Sequence, residues 1–170
     1  SMAVATFRLI GVGGIAQSQH LPNLTRAPHA RLKTVCDVRE DLLQRMKEKY
    51  NVPTAAVDYR SVLEDPEIDL VALTTLADLR PELLRRGLAA GKHVWAEKAL
   101  APTIIEEEAL LAEIEASDRH VAVNLFNRNA WYHEEAQAFI ATGEIGKVAV
   151  IQCRHQTPGM LPTQGHAPEG

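Results

Sequence analysis

The sequence contains few of the residues that cross-linked or metal-bound proteins need. It has two cysteines among 170 residues, Cys36 and Cys153, and neither lies in a CxxC pair. A disulfide scaffold or a structural zinc site is therefore not expected. The 7 histidines are scattered, and no two of them have a metal-ligand spacing such as HxxxH. The sequence accordingly predicts no metal site.

Charge and hydropathy argue against two kinds of partner. The chain has 18 basic and 22 acidic residues, a net charge of −4 and no basic stripe. Nucleic-acid binding is disfavoured, because phosphate contacts need clustered Lys and Arg. No apolar run approaches the roughly 20 residues of a membrane-spanning helix, and the N-terminus has no signal-peptide pattern. We therefore expect no membrane partner and a cytoplasmic location.

Strand and helix patterns alternate along most of the chain. Short apolar runs that predict strands lie at residues 6–10, 32–36, 55–57, 69–75, 93–96 and 120–124. Segments with helical apolar spacing or helix-start signals lie between them, at residues 14–26, 40–50, 59–64, 81–90 and 103–116. This alternation predicts an α/β fold with a doubly wound parallel sheet of the Rossmann type.

The C-terminal part departs from this alternation. A predicted helix at residues 131–142 is followed by a longer strand pattern at 147–155, which has no helix after it. We interpret this strand as the first one of a second α/β domain. The sequence therefore predicts one domain at residues 3–124 and the start of another at residues 125–170.

A glycine motif lies where the first predicted strand meets the first predicted helix. The segment GVGGIA at residues 11–16 fits the pattern GxGxxG/A. In that pattern the first glycine permits a tight turn, the second lets the backbone approach a pyrophosphate, and the last small residue allows close packing of helix on strand. The helix N-terminus then offers free N–H groups to phosphate. A tight turn without any ligand is the alternative.

An acidic residue follows at the distance that the same fingerprint requires. Asp37 ends the second predicted strand, and the fingerprint places a ribose-binding acid about 20 residues beyond the glycines. Alternatively, Asp37 caps the helix that begins near Glu40. Dinucleotide binding explains both the glycines and the acid, and it is our prediction.

A second polar group lies in the segment GKHVWAEK at residues 91–98. Glu97 and Lys98 leave the carboxyl end of the fifth predicted strand, and ligands bind at that edge of open α/β sheets. A lysine in such a cleft can donate or accept a proton. A surface ion pair after the strand is the alternative.

These segments together resemble the Gfo/Idh/MocA family, which includes glucose–fructose oxidoreductase and inositol dehydrogenase. GVGGIA, VCD, DLVALTT, AAGKHVWAEK and GEIGKV carry the resemblance in this order, over residues 6–155. It implies a Rossmann domain followed by a second domain with a large, mostly antiparallel sheet, which binds substrate and usually mediates homo-oligomerisation. It also implies hydride transfer between NAD(P) and a sugar, polyol or related carbonyl compound.

The resemblance also implies roles for individual residues. Lys98 would be the catalytic lysine, and Asp37 would bind the adenosine ribose. The other implied cofactor contacts are Gly11, Gly13, Gly14, Ile15 and Ala16 at the pyrophosphate, Thr74 and Thr75 beside the cofactor, Glu97 near the nicotinamide ribose, Arg39, and Arg128 as a cleft arginine. Asp37 favours NAD over NADP, because its charge would repel a 2′-phosphate. Arg39 keeps NADP open, since an arginine can bind that phosphate.

The chain departs from the family pattern in several places. Ala99 replaces the proline that usually follows EK, so the turn carrying the lysine is less constrained. Leu76 replaces the proline and Arg80 the histidine of a TPxxxxH segment. The second half of the family, with its Asp-x-x-x-His pair, has no counterpart beyond the strand at 147–155. We therefore expect a chain truncated early in the second domain, and whether it is active alone stays open.

Two other functions remain open at this point. One is a nucleotide-binding module without catalysis, and the other is a methyl-transfer enzyme that uses the glycine turn for adenosylmethionine. The segment AAGKHVWAEK has no role in the latter. The remaining polar residues receive no function: the histidines are interpreted as packing residues, and the acids at 106–108 as a solvated first helical turn that favours the helix dipole.

Overall fold

The computed structural model describes residues 4–154, and its centre is a six-stranded parallel sheet. The strands are β1 (Ala5–Ile10), β2 (Ala30–Cys36), β3 (Thr54–Ala56), β4 (Leu70–Leu73), β5 (His93–Glu97) and β6 (Val121–Asn124). They lie in the order β3-β2-β1-β4-β5-β6. This is the order of a Rossmann sheet, in which the connection reverses direction between β1 and β4. The predicted doubly wound fold is confirmed.

Helices cover both faces of the sheet. They are α1 (Leu21–Leu24), α2 (Glu40–Lys49), α3 (Tyr59–Glu64), α4 (Arg80–Ala89) and α5 (Ile104–Glu115). Successive strand residues point to opposite faces, so Leu9 and Ile10 belong to different apolar clusters. One cluster packs the strands against α1 and α2, and the other packs them against α3, α4 and α5. The strands are thus buried on both faces, as parallel strands usually are.

The helix predicted over residues 14–26, for which Pro22 indicates a local irregularity, is divided into two segments in the structure. A π-helical segment, Ala16–His20, runs directly into the short helix α1. Pro22 lies in the first turn of α1. Proline has no N–H to donate to the carbonyl four residues earlier, so the chain before it cannot continue as a regular α-helix and widens instead.

Helix α5 starts at the sequence Thr103-x-x-Glu106, a helix-start motif, and its N-cap is Thr103. The hydroxyl of Thr103 accepts a hydrogen bond from the Glu106 N–H at 3.3 Å and donates one to the Glu106 carboxylate at 2.8 Å. The helix therefore begins where the sequence motif predicts it.

The described chain divides into two compact units after Asn124. In the second unit, a 3-10 turn at Phe126–Asn129 precedes α6 (Trp131–Ala141). Residues 147–154 do not form the predicted strand, and His155, its last residue, lies outside the described residues. A strand needs a neighbour to bond its backbone N–H and C=O groups, and no described strand pairs with this segment.

Among residues 4–154, no helix is both long enough and apolar enough to cross a membrane.

Candidate functional site

The glycine loop lies at the carboxyl end of β1, against the loop that follows β4. Gly11 has φ +99°, and a Cβ atom built on it would lie 2.9 Å from backbone atoms of Thr74 and Thr75. The Thr74 hydroxyl donates a hydrogen bond to the Gly11 carbonyl at 2.6 Å, and the Thr74 N–H donates to the Ile10 carbonyl at 2.9 Å. Only glycine fits this contact without strain, so the two loops meet at the point where the strand order reverses.

The rest of the glycine motif forms the start of the following helical segment. Ala16 is fully buried in the cluster that includes Val12 and Leu21, which is the close helix–strand packing that the fingerprint requires. Ile15 is exposed, and the Gly13 carbonyl accepts a hydrogen bond from the Gln17 N–H at 3.0 Å. The structure therefore brings the motif to the same edge of the sheet as Thr74.

Asp37 is buried at the end of β2 and holds the glycine loop from the other side. Its carboxylate accepts hydrogen bonds from the Val12 N–H and the Arg39 N–H, both at 2.9 Å. It also accepts a forked pair from the Arg39 guanidinium, with Nε at 2.9 Å and Nη2 at 2.8 Å. The N-cap of α2 is Arg39 and not Asp37, although the Asp37 carboxylate accepts the hydrogen bond from the Arg39 N–H.

The hydrogen bonds at Asp37 decide its protonation state. Burial raises the pKa of this carboxyl, but the bonds from Arg39 and Val12 outweigh burial, so the pKa lies below its usual value. Arg39 is the reverse case, since its bond to Asp37 raises the pKa of the guanidinium. A charged pair therefore lies beside the glycine loop at neutral pH.

A cavity of about 480 Å³ opens between these loops at the carboxyl edge of the sheet. The predicted site residues that line it are Gly11, Gly13, Asp37, Arg39, Thr74 and Thr75. Its other walls include Val38, Val57, Leu76 and Leu79, which are apolar and exposed. A concave site with apolar walls and a few convergent polar groups is the usual form of a small-molecule site.

Glu97 is buried at the end of β5 and is not among the residues that line this cavity, and its carboxylate already has hydrogen-bond partners. Oε1 lies 2.6 Å from His20 Nε2 and accepts a hydrogen bond from Asn124 Nδ2 at 2.7 Å. Oε2 accepts one from the Lys98 N–H at 3.3 Å. Glu97 and His20 are both buried. Sequence reasoning missed His20, although it lies four residues after Ala16 on the buried side of the same helical segment.

Lys98 begins an exposed turn after β5, and two side chains hold that turn. The Arg80 guanidinium donates to the Ala99 carbonyl through Nη1 and to the Thr75 carbonyl through Nη2. The Glu107 carboxylate accepts a hydrogen bond from the Leu100 N–H at 2.9 Å. The interpretation of Glu107 as part of a solvated helical turn is therefore wrong. The Arg80 contact is not visible in a local motif, since Arg80 and Ala99 are 19 residues apart.

The second unit holds the remaining predicted site residue. Arg128 is exposed in the 3-10 turn of that unit, where its N–H donates to the Leu125 carbonyl at 2.9 Å. Its assignment as a cleft arginine stays a prediction. Among the residues that the structure describes, no group of three or more His, Cys, Asp or Glu side chains is arranged to hold a metal ion.

A family comparison matches the sheet and the site together. Residues 6–125 match the model of the Gfo/Idh/MocA family, which is described as an oxidoreductase family with an NAD-binding Rossmann fold. The match includes the glycine loop, Asp37, the turn at Lys98 and all six strands except the first residue of β1.

Individual relatives are dehydrogenases and a ketoreductase. The myo-inositol 2-dehydrogenase of Thermotoga maritima is 32% identical over 157 residues, a match that covers 91% of this chain and 46% of that protein. A crystal structure of KijD10, a 3-ketoreductase from Actinomadura kijaniata in complex with NADP, has a TM-score of 0.75 at 28% identity and covers 85% of this chain and 46% of that one.

A further structure supports the fold. The scyllo-inositol dehydrogenase of Lactobacillus casei, solved with NAD(H) and scyllo-inositol, has a TM-score of 0.78 at 21% identity, with 84% of this chain and 42% of that one covered. The chain spans less than half the length of these relatives.

Proposed function

Because this chain belongs to the Gfo/Idh/MocA family of oxidoreductases with an NAD-binding Rossmann fold, we propose that it is the cofactor-binding part of a nicotinamide-dependent oxidoreductase. The reaction would move a hydride between the nicotinamide and an alcohol or carbonyl carbon of a sugar or polyol. The observation that carries the proposal is the cavity at the reversal point of the sheet, where Gly11, Asp37 and Thr74 converge.

The residues around this cavity fit a dinucleotide. A Cβ at Gly11 would fill the space between the loops after β1 and β4, so glycine at this position lets the two loops meet beside the cavity. The free N–H groups at the start of the next helical segment, at Gly14 and Ile15, supply the donors that phosphate needs. Asp37, ionised and facing the cavity, can accept hydrogen bonds from ribose hydroxyls. When bound, the nicotinamide supplies the hydride chemistry.

Lys98 is our candidate for the catalytic residue. It follows β5, which neighbours β4 in the sheet, at the carboxyl edge where the cavity opens. Its ammonium group can donate a proton to a carbonyl oxygen or accept one from a hydroxyl. Glu97 bonds the Lys98 N–H and so orients the backbone from which the lysine projects.

Asp37 and Arg39 bear on the choice between NAD and NADP. A buried carboxylate at the ribose position disfavours the 2′-phosphate of NADP, because like charges repel at close range. Arg39 already binds both oxygens of Asp37, which neutralises part of that charge. We propose that NAD is preferred, with NADP accepted when Arg39 turns toward the phosphate.

The second unit, with its exposed Trp131 and Phe139 on α6, is proposed to open a substrate domain over residues 125–170. Apolar side chains exposed on a helix of a small unit need a partner surface. A homo-oligomer in the cytoplasm, with Arg128 in the substrate cleft, completes this proposal.

A nucleotide-binding module without catalysis is the second candidate. Three departures from the family pattern favour it: Ala99 and Leu76 stand where the family usually has proline, and Arg80 stands where it usually has histidine. In that case cofactor binding would be retained and Lys98 would be dispensable.

Calorimetric titration of the purified chain with NADH, NADPH and S-adenosylmethionine tests the proposal. We expect NADH to bind most tightly and S-adenosylmethionine not to bind. Binding of S-adenosylmethionine without NADH would contradict it. Binding of NADH together with no turnover of any polyol, in a protein that carries the substrate domain, would favour the non-catalytic candidate.

A further inference from the structure

The turn at residues 98–101, called here the Lys98 turn, is held by side chains from three elements. We propose that Arg80 and Glu107 act together as positioning residues that fix the Lys98 turn against the loop after β4. The role of Lys98 rests on the proposed function, whereas the holding of the turn by these two side chains does not.

Arg80 supplies the first contact. It is the first residue of α4 and only 6% exposed. Its two terminal nitrogens bond the carbonyls of Thr75 and Ala99. A guanidinium is planar and presents its donors in a fixed fork, so a single side chain sets the separation between the loop after β4 and the Lys98 turn.

Burying this arginine costs free energy that its hydrogen bonds must offset. Removing a guanidinium from water carries a large desolvation penalty, and burial lowers the pKa of Arg80 although the charges of Glu97 and Asp78 oppose that change. A methionine would fill a similar volume without the penalty. Only a polar side chain such as arginine can donate the two hydrogen bonds to the carbonyls of Thr75 and Ala99.

Glu107 supplies the second contact, from the first turn of α5. Its Oε1 accepts hydrogen bonds from the N–H groups of Leu100, at 2.9 Å, and Ala101, at 3.5 Å. Glu97 adds the bond to the Lys98 N–H. The backbone of the turn is thus bonded to a side chain at residues 98, 99 and 100 in succession.

The side chain of Lys98 has no such support. It is exposed, and within residues 4–154 its ammonium group makes no hydrogen bond or salt bridge. The backbone of the turn therefore sets the point from which this flexible side chain leaves the chain. Loosening the turn through Arg80 or Glu107 would let Lys98 leave its position without touching Lys98 itself.

The first test measures hydrogen exchange at the Leu100 amide in the purified chain. Glu107→Ala should raise its exchange rate about 10-fold, because the Leu100 amide loses one hydrogen bond of ordinary strength. Arg80→Met should also raise it, because the turn loses its bond at the neighbouring Ala99 carbonyl. Glu107→Gln keeps an acceptor oxygen and should stay near wild type. Arg85→Met is the matched control for Arg80→Met, because Arg85 also lies on α4 and its ion pair with Glu113 is exposed.

The second test asks whether the turn positions Lys98. Acetylation of Lys98 by a water-soluble reagent is measured by mass spectrometry with and without saturating NADH. NADH should protect Lys98 in wild type and in Arg85→Met, and should protect it less in Arg80→Met and Glu107→Ala, at concentrations where calorimetry shows that NADH is bound.

A rescue variant separates positioning from general loss of structure. Proline fixes its own φ, and within the described residues the Ala99 N–H makes no hydrogen bond that a proline would remove. Ala99→Pro added to Arg80→Met should return exchange at Leu100 and NADH protection of Lys98 toward wild type. Loss of fold through a buried cavity would not be repaired at residue 99.

The outcomes separate the two proposals. Unchanged Leu100 exchange in both Arg80→Met and Glu107→Ala overturns the positioning role. The positioning role is also overturned if Leu100 exchange is faster in both variants while NADH still protects Lys98 fully from acetylation. Failure of the wild-type chain to bind NADH refutes the proposed function instead, and exchange at Leu100 still decides whether the turn is held. If Arg80→Met does not fold, the comparison of Glu107→Ala with Glu107→Gln decides.

Discussion

Replacing Gly11 with alanine should destabilise the protein more than replacing Gly91 with alanine. Gly11 has φ +99°, and the new Cβ would lie 2.9 Å from Thr74 C and Thr75 N. The left-handed backbone costs about 1–2 kcal/mol for a residue with a Cβ. Overpacking against backbone that cannot rotate away costs about 1–3 kcal/mol more. We expect a loss of about 2–5 kcal/mol in the free energy of unfolding, as the sum of these two terms.

Gly91→Ala is the matched control. Gly91 has φ +74°, and nothing lies within 4 Å of a Cβ built there. This variant bears only the conformational cost of about 1–2 kcal/mol. The difference between the two variants therefore isolates the close approach of the loops after β1 and β4.

Urea unfolding of both variants and wild type, compared at equal m-values, measures these free energies. NADH affinity should also fall in Gly11→Ala, because the displaced loops form the cavity, and should stay unchanged in Gly91→Ala. Equal losses of stability in the two variants would refute the argument that the Gly11 contact is tight.

Four further predictions concern single side chains. Asp37 has a depressed pKa, so its ionised form contributes stability above about pH 4 that is lost as pH falls through the folded-state pKa. Urea unfolding across pH 2–6 should therefore show that the free energy of unfolding of Asp37→Asn falls less steeply with decreasing pH than that of wild type. An equally steep fall in both proteins would contradict this. Asp37→Ser should narrow or invert the preference for NADH over NADPH in calorimetry, because it removes the charge that repels the 2′-phosphate. If wild type binds NADPH more tightly than NADH, Arg39 and not Asp37 is the dominant contact. In a protein that also carries the substrate domain, Lys98→Met should lower kcat about 100-fold or more with NADH affinity unchanged. Full activity of this variant would show that Lys98 is not catalytic. Burial raises the pKa of Cys36 to about 12, so only the exposed Cys153 should react with a thiol reagent at pH 8 in the native chain, and two reactive thiols would show that Cys36 is accessible.

The sheet could be predicted because its signals are local. Each strand is a short apolar run, and the connections between strands are long enough for helices, which leaves a parallel sheet as the consistent arrangement. The glycine motif and Asp37 were found in the same way, since their spacing is fixed by one βαβ unit.

Features that depend on the surrounding structure could be predicted only in part. Pro22 indicates an irregularity in the helix over residues 14–26, but not that residues 16–20 form a π-helical segment. The segment 147–154 has the composition of a strand but no described strand beside it. Amino-acid composition indicates that a segment can form a strand, but the strand forms only where a neighbouring strand supplies its hydrogen bonds.

The polar contacts behind the site were the hardest to predict. His20 meets Glu97 across 77 residues, and Arg80 meets Ala99 across 19. Viewed in sequence, Arg80 and Ala99 are two separate departures from a family pattern. In the structure they are one contact, because the loops after β4 and β5 end at the same edge of the sheet.

Amide hydrogen exchange of the chain with and without NADH tests the central claim most directly. The claim is that the cavity between the loops after β1, β2 and β4 binds the dinucleotide. We predict slower exchange on NADH addition at residues 11–17, 37–39 and 74–76, with no change at His93 and Val121, which lie at the opposite edge of the sheet. NADH binding without slower exchange at these loops, or with protection only elsewhere, would contradict the account.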